Sequence, residues 1–188
     1  MQRLQRQSNG LVVLRGDPGV GKTTFLRHLM TRLAKTHRAC LVPTSHFRML
    51  ASPEMPVFWT EQNQRSNLHN LLILEDAEAL LGKRCGSNDD QVSNLLNMSD
   101  GLLGDSMNVQ IVATVNATLD KLDPAITRRG RMLGHRQFRR LTRAEAQRLA
   151  TAKGLPLPDG AEFSLADIYR GADSADAIPA EPTMGFRR

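Results

Sequence analysis

Short apolar runs alternate along the chain with longer polar segments of helical period. Residues 11–15 (LVVLR) are predicted as a first strand, and a helix is predicted over residues 21–35, where Phe25, Leu26, Leu29, Met30 and Leu33 recur at three- and four-residue spacing. Residues 39–43 read as a second strand. Residues 71–74 form a wholly apolar third strand, residues 109–115 a fourth, and residues 133–138 a fifth, interrupted by His135 and Arg136. The stretch 44–60, preceded by Pro43 and punctuated by Pro53 and Pro56, is expected to be loop with at most short helical pieces. Residues 82–90 read as a polar loop. Asp89 or Asp90 then caps a helix with Val92, Leu95, Leu96 and Met98 on one face. Thr142 opens another helix (TRAEAQRLA), with Glu145 three residues on as a capping box. Beyond Gly154 the chain is rich in Pro, Gly and Ala. A short helix is expected around residues 165–169, and the last dozen residues are expected to fray. Strands alternating with helices predict a βαβ arrangement and a parallel sheet.

Composition narrows the class. A chain of 188 residues accommodates one α/β domain with a small appendage, and 40% hydrophobic with 23% charged residues suits a soluble globular protein. The apolar runs fall far short of the roughly 20 residues that span a bilayer. The opening MQRLQRQSNG has no apolar stretch behind its basic residues, so no secretory signal and a cytoplasmic location are expected. Cys40 and Cys85 make no CxxC pair, and the five histidines lack ligand spacing, so neither a disulfide framework nor a transition-metal site is expected. The net charge of +6 admits a nucleic-acid partner. Much of the excess, however, sits in the 21–35 helix and in residues 128–143, and a defined nucleic-acid reading motif is absent, so that reading is not favoured.

The chemistry is concentrated in four places. Gly16-Asp17-Pro18-Gly19-Val20-Gly21-Lys22-Thr23 satisfies G-x-x-x-x-G-K-[ST] at every fixed position, between a predicted strand and a predicted helix. With average residue usage that coincidence arises in roughly one chain in 150 of this length, so a chance glycine turn is a poor account. The glycines let the backbone wrap phosphates with its N–H groups turned inward, and the helix start adds its positive dipole end. Lys22 supplies a mobile positive charge to the β- and γ-phosphates of ATP. The Thr23 hydroxyl is a ligand for Mg²⁺, and Thr24 is the next residue at the phosphate-facing helix start.

Leu71-Leu72-Ile73-Leu74-Glu75-Asp76 is a buried strand ending in two carboxylates, delivered to the carboxyl edge of the sheet where such folds bind ligands. One acid suits the Mg²⁺ shell and the other the attacking water; a helix N-cap is the bland alternative. Asn116 ends the strand VQIVATVN, where an amide suits a place beside the γ-phosphate and also an ordinary turn. Thr127-Arg128-Arg129-Gly130-Arg131 is compatible with a solvated basic turn and equally with arginines that reach a phosphate on a neighbouring subunit.

Over residues 10–141 these elements resemble the AAA+ ATPases in order and spacing. GDPGVGKT is similar to Walker A, LLILED to Walker B, VATVN to the strand ending in sensor 1, and LDPAITRRGRM to the second region of homology. The resemblance implies a sensor role for Asn116 and trans-acting arginine roles for Arg128 and Arg131, with Arg129 at a position usually filled otherwise. Walker B usually ends Asp-Glu. Here it ends Glu75-Asp76, an inversion also found in a Bcs1-like mitochondrial branch, and one that puts the shorter carboxylate at the water-activating position. The segment TSHFRMLASPEMPVFW lacks the aromatic-glycine signature of the family's pore loop, and Phe47, Phe58 and Trp59 are candidates for a pore lining or for packing against the domain. LTRAEAQRLA resembles the first helix of the family's lid, and Gly171-Ala172-Asp173 echoes a motif near its end. The 47 residues after Leu141 are too few for the usual four-helix lid.

The expected fold is therefore an α/β, three-layer P-loop core with a five-stranded parallel sheet in the order 5-1-4-3-2. The expected division is an N-terminal extension (1–10), the ATPase core (11–140), and a partial helical lid with a flexible tail (141–188). The expected function is ATP binding and hydrolysis with Mg²⁺ by a homo-oligomeric ring, six subunits being one option, that remodels a protein substrate or serves an adaptor. The alternatives are an ATP-binding assembly switch with little turnover and a nucleic-acid-dependent loader.

Overall fold

The computed structural model describes residue 4 and residues 7–52, 54–83, 89–99, 106–128 and 130–173. Strands β1 (Gly10–Arg15), β2 (His37–Val42), β3 (His69–Leu74), β4 (Val109–Val115) and β5 (Met132–Gln137) form one sheet. Its order is β2-β3-β4-β1-β5 with every pairing parallel, which is the expected 5-1-4-3-2 read from the other edge.

The central strands read as continuous apolar runs because both faces of the sheet are covered. Side chains alternate along each strand. Leu11, Val13, Leu72, Leu74, Ile111 and Ala113 therefore join one core with Trp59 of α2 (Met55–Arg65) and with Val92, Leu95 and Leu96 of α4 (Asp89–Ser99). Leu14, Leu71, Ile73 and Val112 face the other way, onto Leu26, Leu29 and Leu33 of α1 (Lys22–Leu33). Each such buried leucine contributes about 1.5–3 kcal/mol relative to exposure, so three of them fix α1 firmly against β1. The four-residue α3 (Glu78–Leu81) follows β3 and buries Leu80 and Leu81.

The strongest departure from expectation is the stretch 44–60. It holds a 3₁₀ helix over Thr44–Ala51 and then all but the last five residues of α2. Pro56 lies in the first turn of α2, where the backbone N–H has no intrahelical acceptor, so the proline starts the helix instead of breaking it. Trp59, only 2% exposed, and Phe47 pack into the core, while Phe58 is 44% exposed. Phe58 and Trp59 also border an apolar cavity of about 310 Å³ at the outer edge of β2.

Strands β2 and β3 each begin two residues earlier than expected, at His37 and His69, because the polar residues there find partners. His37 Nε2 lies 3.1 Å from Gln110 Oε1, and Gln110 Nε2 donates to the carbonyls of Leu4 (2.7 Å) and Gln7 (2.6 Å). Helix α1 begins one residue later than expected, with Gly21 as its N-cap. Cys85, Arg129, residues 84–88 of the 82–90 loop and residues 174–188 lie outside the described residues. Among the described residues no helix is long and apolar enough to cross a membrane.

The chain divides into two compact units, Met1–Arg139 and Arg140–Arg188. The second contains a two-stranded antiparallel pair, β6 (Leu141–Thr142) and β7 (Glu162–Phe163), with helices α5 (Arg143–Lys153) and α6 (Leu165–Asp173). Its small core is Ala146, Ala150, Phe163 and Ile168. The Thr142–Glu145 capping box is formed, and α6 runs four residues past its expected end.

Candidate functional site

The chain leaves β1 toward β2 on one side, and leaves β4 toward β5 on the other. Neighbouring strands whose connections part in opposite directions leave a crevice beyond their carboxyl ends, the usual ligand site of an open α/β sheet. The loop Gly16–Gly21 occupies that position. Its first N–H, of Gly16, donates to the Val115 carbonyl at 3.2 Å, tying the loop to the end of β4. A Cβ on Gly16 would lie 2.3 Å from the Phe138 carbonyl oxygen, so the loop can start there only with glycine. Gly19 and Gly21 take φ of 78° and 99°, values that L side chains rarely adopt. Asp17, Pro18 and Gly19 are exposed, while Val20 is buried and anchors the loop.

Helix α1 starts from Gly21 with no side-chain cap and no acid in its first turn. Its leading N–H groups, from Lys22 through Thr24, thus stand at the positive end of the helix without a built-in anion. Thr23 and Thr24 are exposed. Lys22 is only 7% exposed, and its Nζ donates to the carbonyls of Gly16 (2.6 Å) and Asp17 (2.9 Å) and to Asn116 Oδ1 (2.7 Å). Burial pushes the Lys22 pKa below 10.5, and the carboxylates of Asp76, Glu78 and Asp17 pull it partly back.

The Thr23 hydroxyl donates to Glu75 Oε1 at 2.6 Å. A hydroxyl and a carboxylate one hydrogen bond apart, at the mouth of a phosphate-shaped loop, are the hard oxygen donors that Mg²⁺ takes, so the residues fit that ion. Asp76 is exposed and adopts a left-handed φ of 49°. Its N–H donates to Thr114 Oγ1 (3.0 Å), and the next N–H, of Ala77, donates to the Thr114 carbonyl (2.9 Å). Asn116 is exposed at the exit of β4, and its main-chain N–H donates to Glu78 Oε1.

Lys22, Thr23, Glu75, Asp76 and Asn116 therefore converge on one crevice. Arg128 and Arg131 do not. They lie in the turn before β5, where the Arg131 carbonyl accepts the Leu11 N–H (2.9 Å) at the opposite, amino end of β1. Arg128 is exposed, and Arg131 Nη1 donates to the Ala125 carbonyl (3.4 Å). Sequence reasoning missed Glu78 and Thr114. Glu78 looks like an ordinary acid at a helix start, and Thr114 like an ordinary β-branched strand residue. The available signal was the single hydroxyl among the apolar residues 111–115, one residue from the end of the strand.

A model of the family "ATPase family associated with various cellular activities (AAA)" matches residues 12–140. The chain belongs to the AAA family. Among curated proteins, this AAA chain is 35% identical over 107 residues to the AAA-ATPase At3g28540 of Arabidopsis thaliana, a match covering 56% of the chain and 20% of that relative. Among solved structures it superposes on a chain of the E. coli MS115-1 HORMA:CdnC:Trip13 complex with a TM-score of 0.68 at 18% identity, covering 86% of this chain and 65% of that one. The structural likeness is one of fold. The AAA chain thus spans a fifth of the curated relative and less than two thirds of the solved one.

Proposed function

We propose that the chain hydrolyses ATP as one subunit of a homo-oligomeric ring, residues 11–140 being the ATPase core and residues 141–188 a reduced lid. The observation that carries this reading is the convergence of Lys22 Nζ, Asn116 Oδ1 and the Thr23–Glu75 pair at the end of β1 and β4. Gly16, Asp17, Pro18, Gly19, Val20 and Gly21 shape the phosphate cradle, and the N–H groups of Lys22, Thr23 and Thr24 face it. Lys22 exchanges its loop carbonyls for β- and γ-phosphate oxygens, a charge-assisted contact roughly twice as strong as a neutral one. Thr23 and Glu75 would hold Mg²⁺, which supplies neutralising charge at the phosphates. Asp76, an exposed acid whose field reaches Lys22, polarises the attacking water, and Asn116 orients it. The inverted order is explained by this division of labour: the longer acid reaches Thr23, and the shorter stays at the exit of the strand.

The arginines complete the site only from a neighbouring copy. Between Leu11 and Arg15 strand β1 spans about 13 Å. The turn tied to Leu11 therefore cannot serve the Lys22 loop of its own chain, whereas an exposed Arg128 is free to meet the next subunit's phosphates. ATP-stimulated assembly without turnover is the competing outcome.

Mixing tests the shared site. Lys22→Ala and Arg128→Ala are each expected to be inactive alone. Combined at equal amounts they should regain about a quarter of native ATP hydrolysis, since one interface in four then joins two intact halves. No recovery, in mixtures shown to co-assemble, would contradict a site built across two subunits.

A further inference from the structure

We propose that Glu78 is a positioning residue that locks Asn116 in place through its main chain, leaving the Asn116 side chain to Lys22 and the nucleotide. The proposal rests on the ATPase reading of this site and deepens it.

Asn116 is the first residue beyond β4 and carries two bonds of different kinds. Its side-chain Oδ1 accepts from Lys22 Nζ (2.7 Å), and its main-chain N–H donates to Glu78 Oε1. The residue before it, Val115, gives its carbonyl to Gly16 of the phosphate loop. The side-chain bond must yield if Lys22 turns to a phosphate; the main-chain bond need not. Glu78 thus fixes the peptide from which the Asn116 side chain projects without competing for its amide.

Glu78 is itself well held. Ala77 is buried with its N–H on the Thr114 carbonyl, and Leu80 and Leu81 are buried in the core. The Gly82 N–H returns to the Glu78 carbonyl at 2.9 Å. Together with the Asp76 N–H to Thr114 Oγ1, these contacts stitch the chain that leaves β3 to the exit of β4 from Asp76 onward. An acid placed merely to complement a helix end would need no acceptor bond to a residue 38 positions away. Glu78 is also among the carboxylates whose field bears on Lys22.

The test separates bond from charge and has one readout that needs no turnover. Glu78→Gln keeps an acceptor oxygen and loses the charge; Glu78→Asp keeps the charge and shortens the reach; Glu78→Ala loses both. In the nucleotide-free protein, amide hydrogen exchange at Asn116 should be slow in the native chain and in Glu78→Gln, and faster in Glu78→Asp and Glu78→Ala. In turnover, Glu78→Ala and Glu78→Asp should lose about tenfold to a hundredfold in kcat, the scale of a slightly misplaced catalytic group, with ATP affinity within about twofold of native. Glu78→Gln should retain most of kcat. Unchanged Asn116 exchange in Glu78→Asp, or Glu78→Gln losing activity while Glu78→Asp keeps it, would overturn the proposal. If the native protein turns over no faster than Lys22→Ala, the ATPase reading fails, and the exchange comparison still decides whether Glu78 holds Asn116. If Glu78→Ala does not fold, the Gln and Asp pair carries both readouts.

Discussion

The Leu11 N–H donates to the Arg131 carbonyl at 2.9 Å, and that contact pins the arginine turn to the amino end of β1 while Lys22 stands beyond its carboxyl end. One strand therefore separates the two halves of the proposed chemistry within a single copy. Arg128→Ala should accordingly leave ATP affinity near native and reduce kcat about a thousandfold, the scale at which an arginine supplied to a phosphoryl transition state acts. Equilibrium binding of a fluorescent ATP analogue beside steady-state phosphate release distinguishes this from a folding defect, which would lower both.

Lys22 should titrate below 10.5, because its burial outweighs the nearby carboxylates. Asp76→Asn removes the largest of the opposing contributions and should push the value down further. In the window between the folded value and 10.5 the unfolded chain holds a proton that the folded chain has shed, so this group makes the fold more stable as pH rises through that window. Below the window both states are protonated and the dependence vanishes. An NMR titration of the Lys22 Cε–Nζ group, with and without Asp76→Asn, checks the direction.

Gly16→Ala should be damaging without touching any charged group. The added Cβ meets the Phe138 carbonyl oxygen at 2.3 Å, and both are backbone-fixed. A loss of about 1–3 kcal/mol is expected, the scale of overpacking in a tight site, with a lower Tm and weakened ATP binding. A Tm equal to native would show that the loop relaxes around the methyl.

Thr23→Val removes the hydroxyl that donates to Glu75 at 2.6 Å and keeps the side chain's shape. The Mg²⁺ concentration for half-maximal hydrolysis should rise about tenfold, the effect of losing one ligand of a hydroxyl–carboxylate pair, about 1.4 kcal/mol. A magnesium titration of hydrolysis at saturating ATP measures it.

Much of this was legible in the sequence for physical reasons. Strand β4 was read at its true limits because VQIVATV is buried along its whole length and a polar residue ends it. The phosphate loop was legible because glycine at fixed positions has no cheap substitute. Helix α2 is not, because proline breaks most helices, while Pro56 sits in the one turn that needs no N–H donor. Glu78 and Thr114 were illegible because their importance lies in bonds between β3 and β4 exits, set by strand register and not by local pattern. The edge on which the arginine turn falls likewise depends on the parallel pairing of β1 with β5.

The central claim, a hydrolytic site completed between copies, is tested most directly by steady-state ATP hydrolysis against protein concentration. The native chain is run beside Lys22→Ala and Arg128→Ala. Specific activity should climb cooperatively as copies associate, and both variants should stay at background throughout. Native turnover per chain that is the same at every concentration, or no greater than that of Lys22→Ala, would contradict the account.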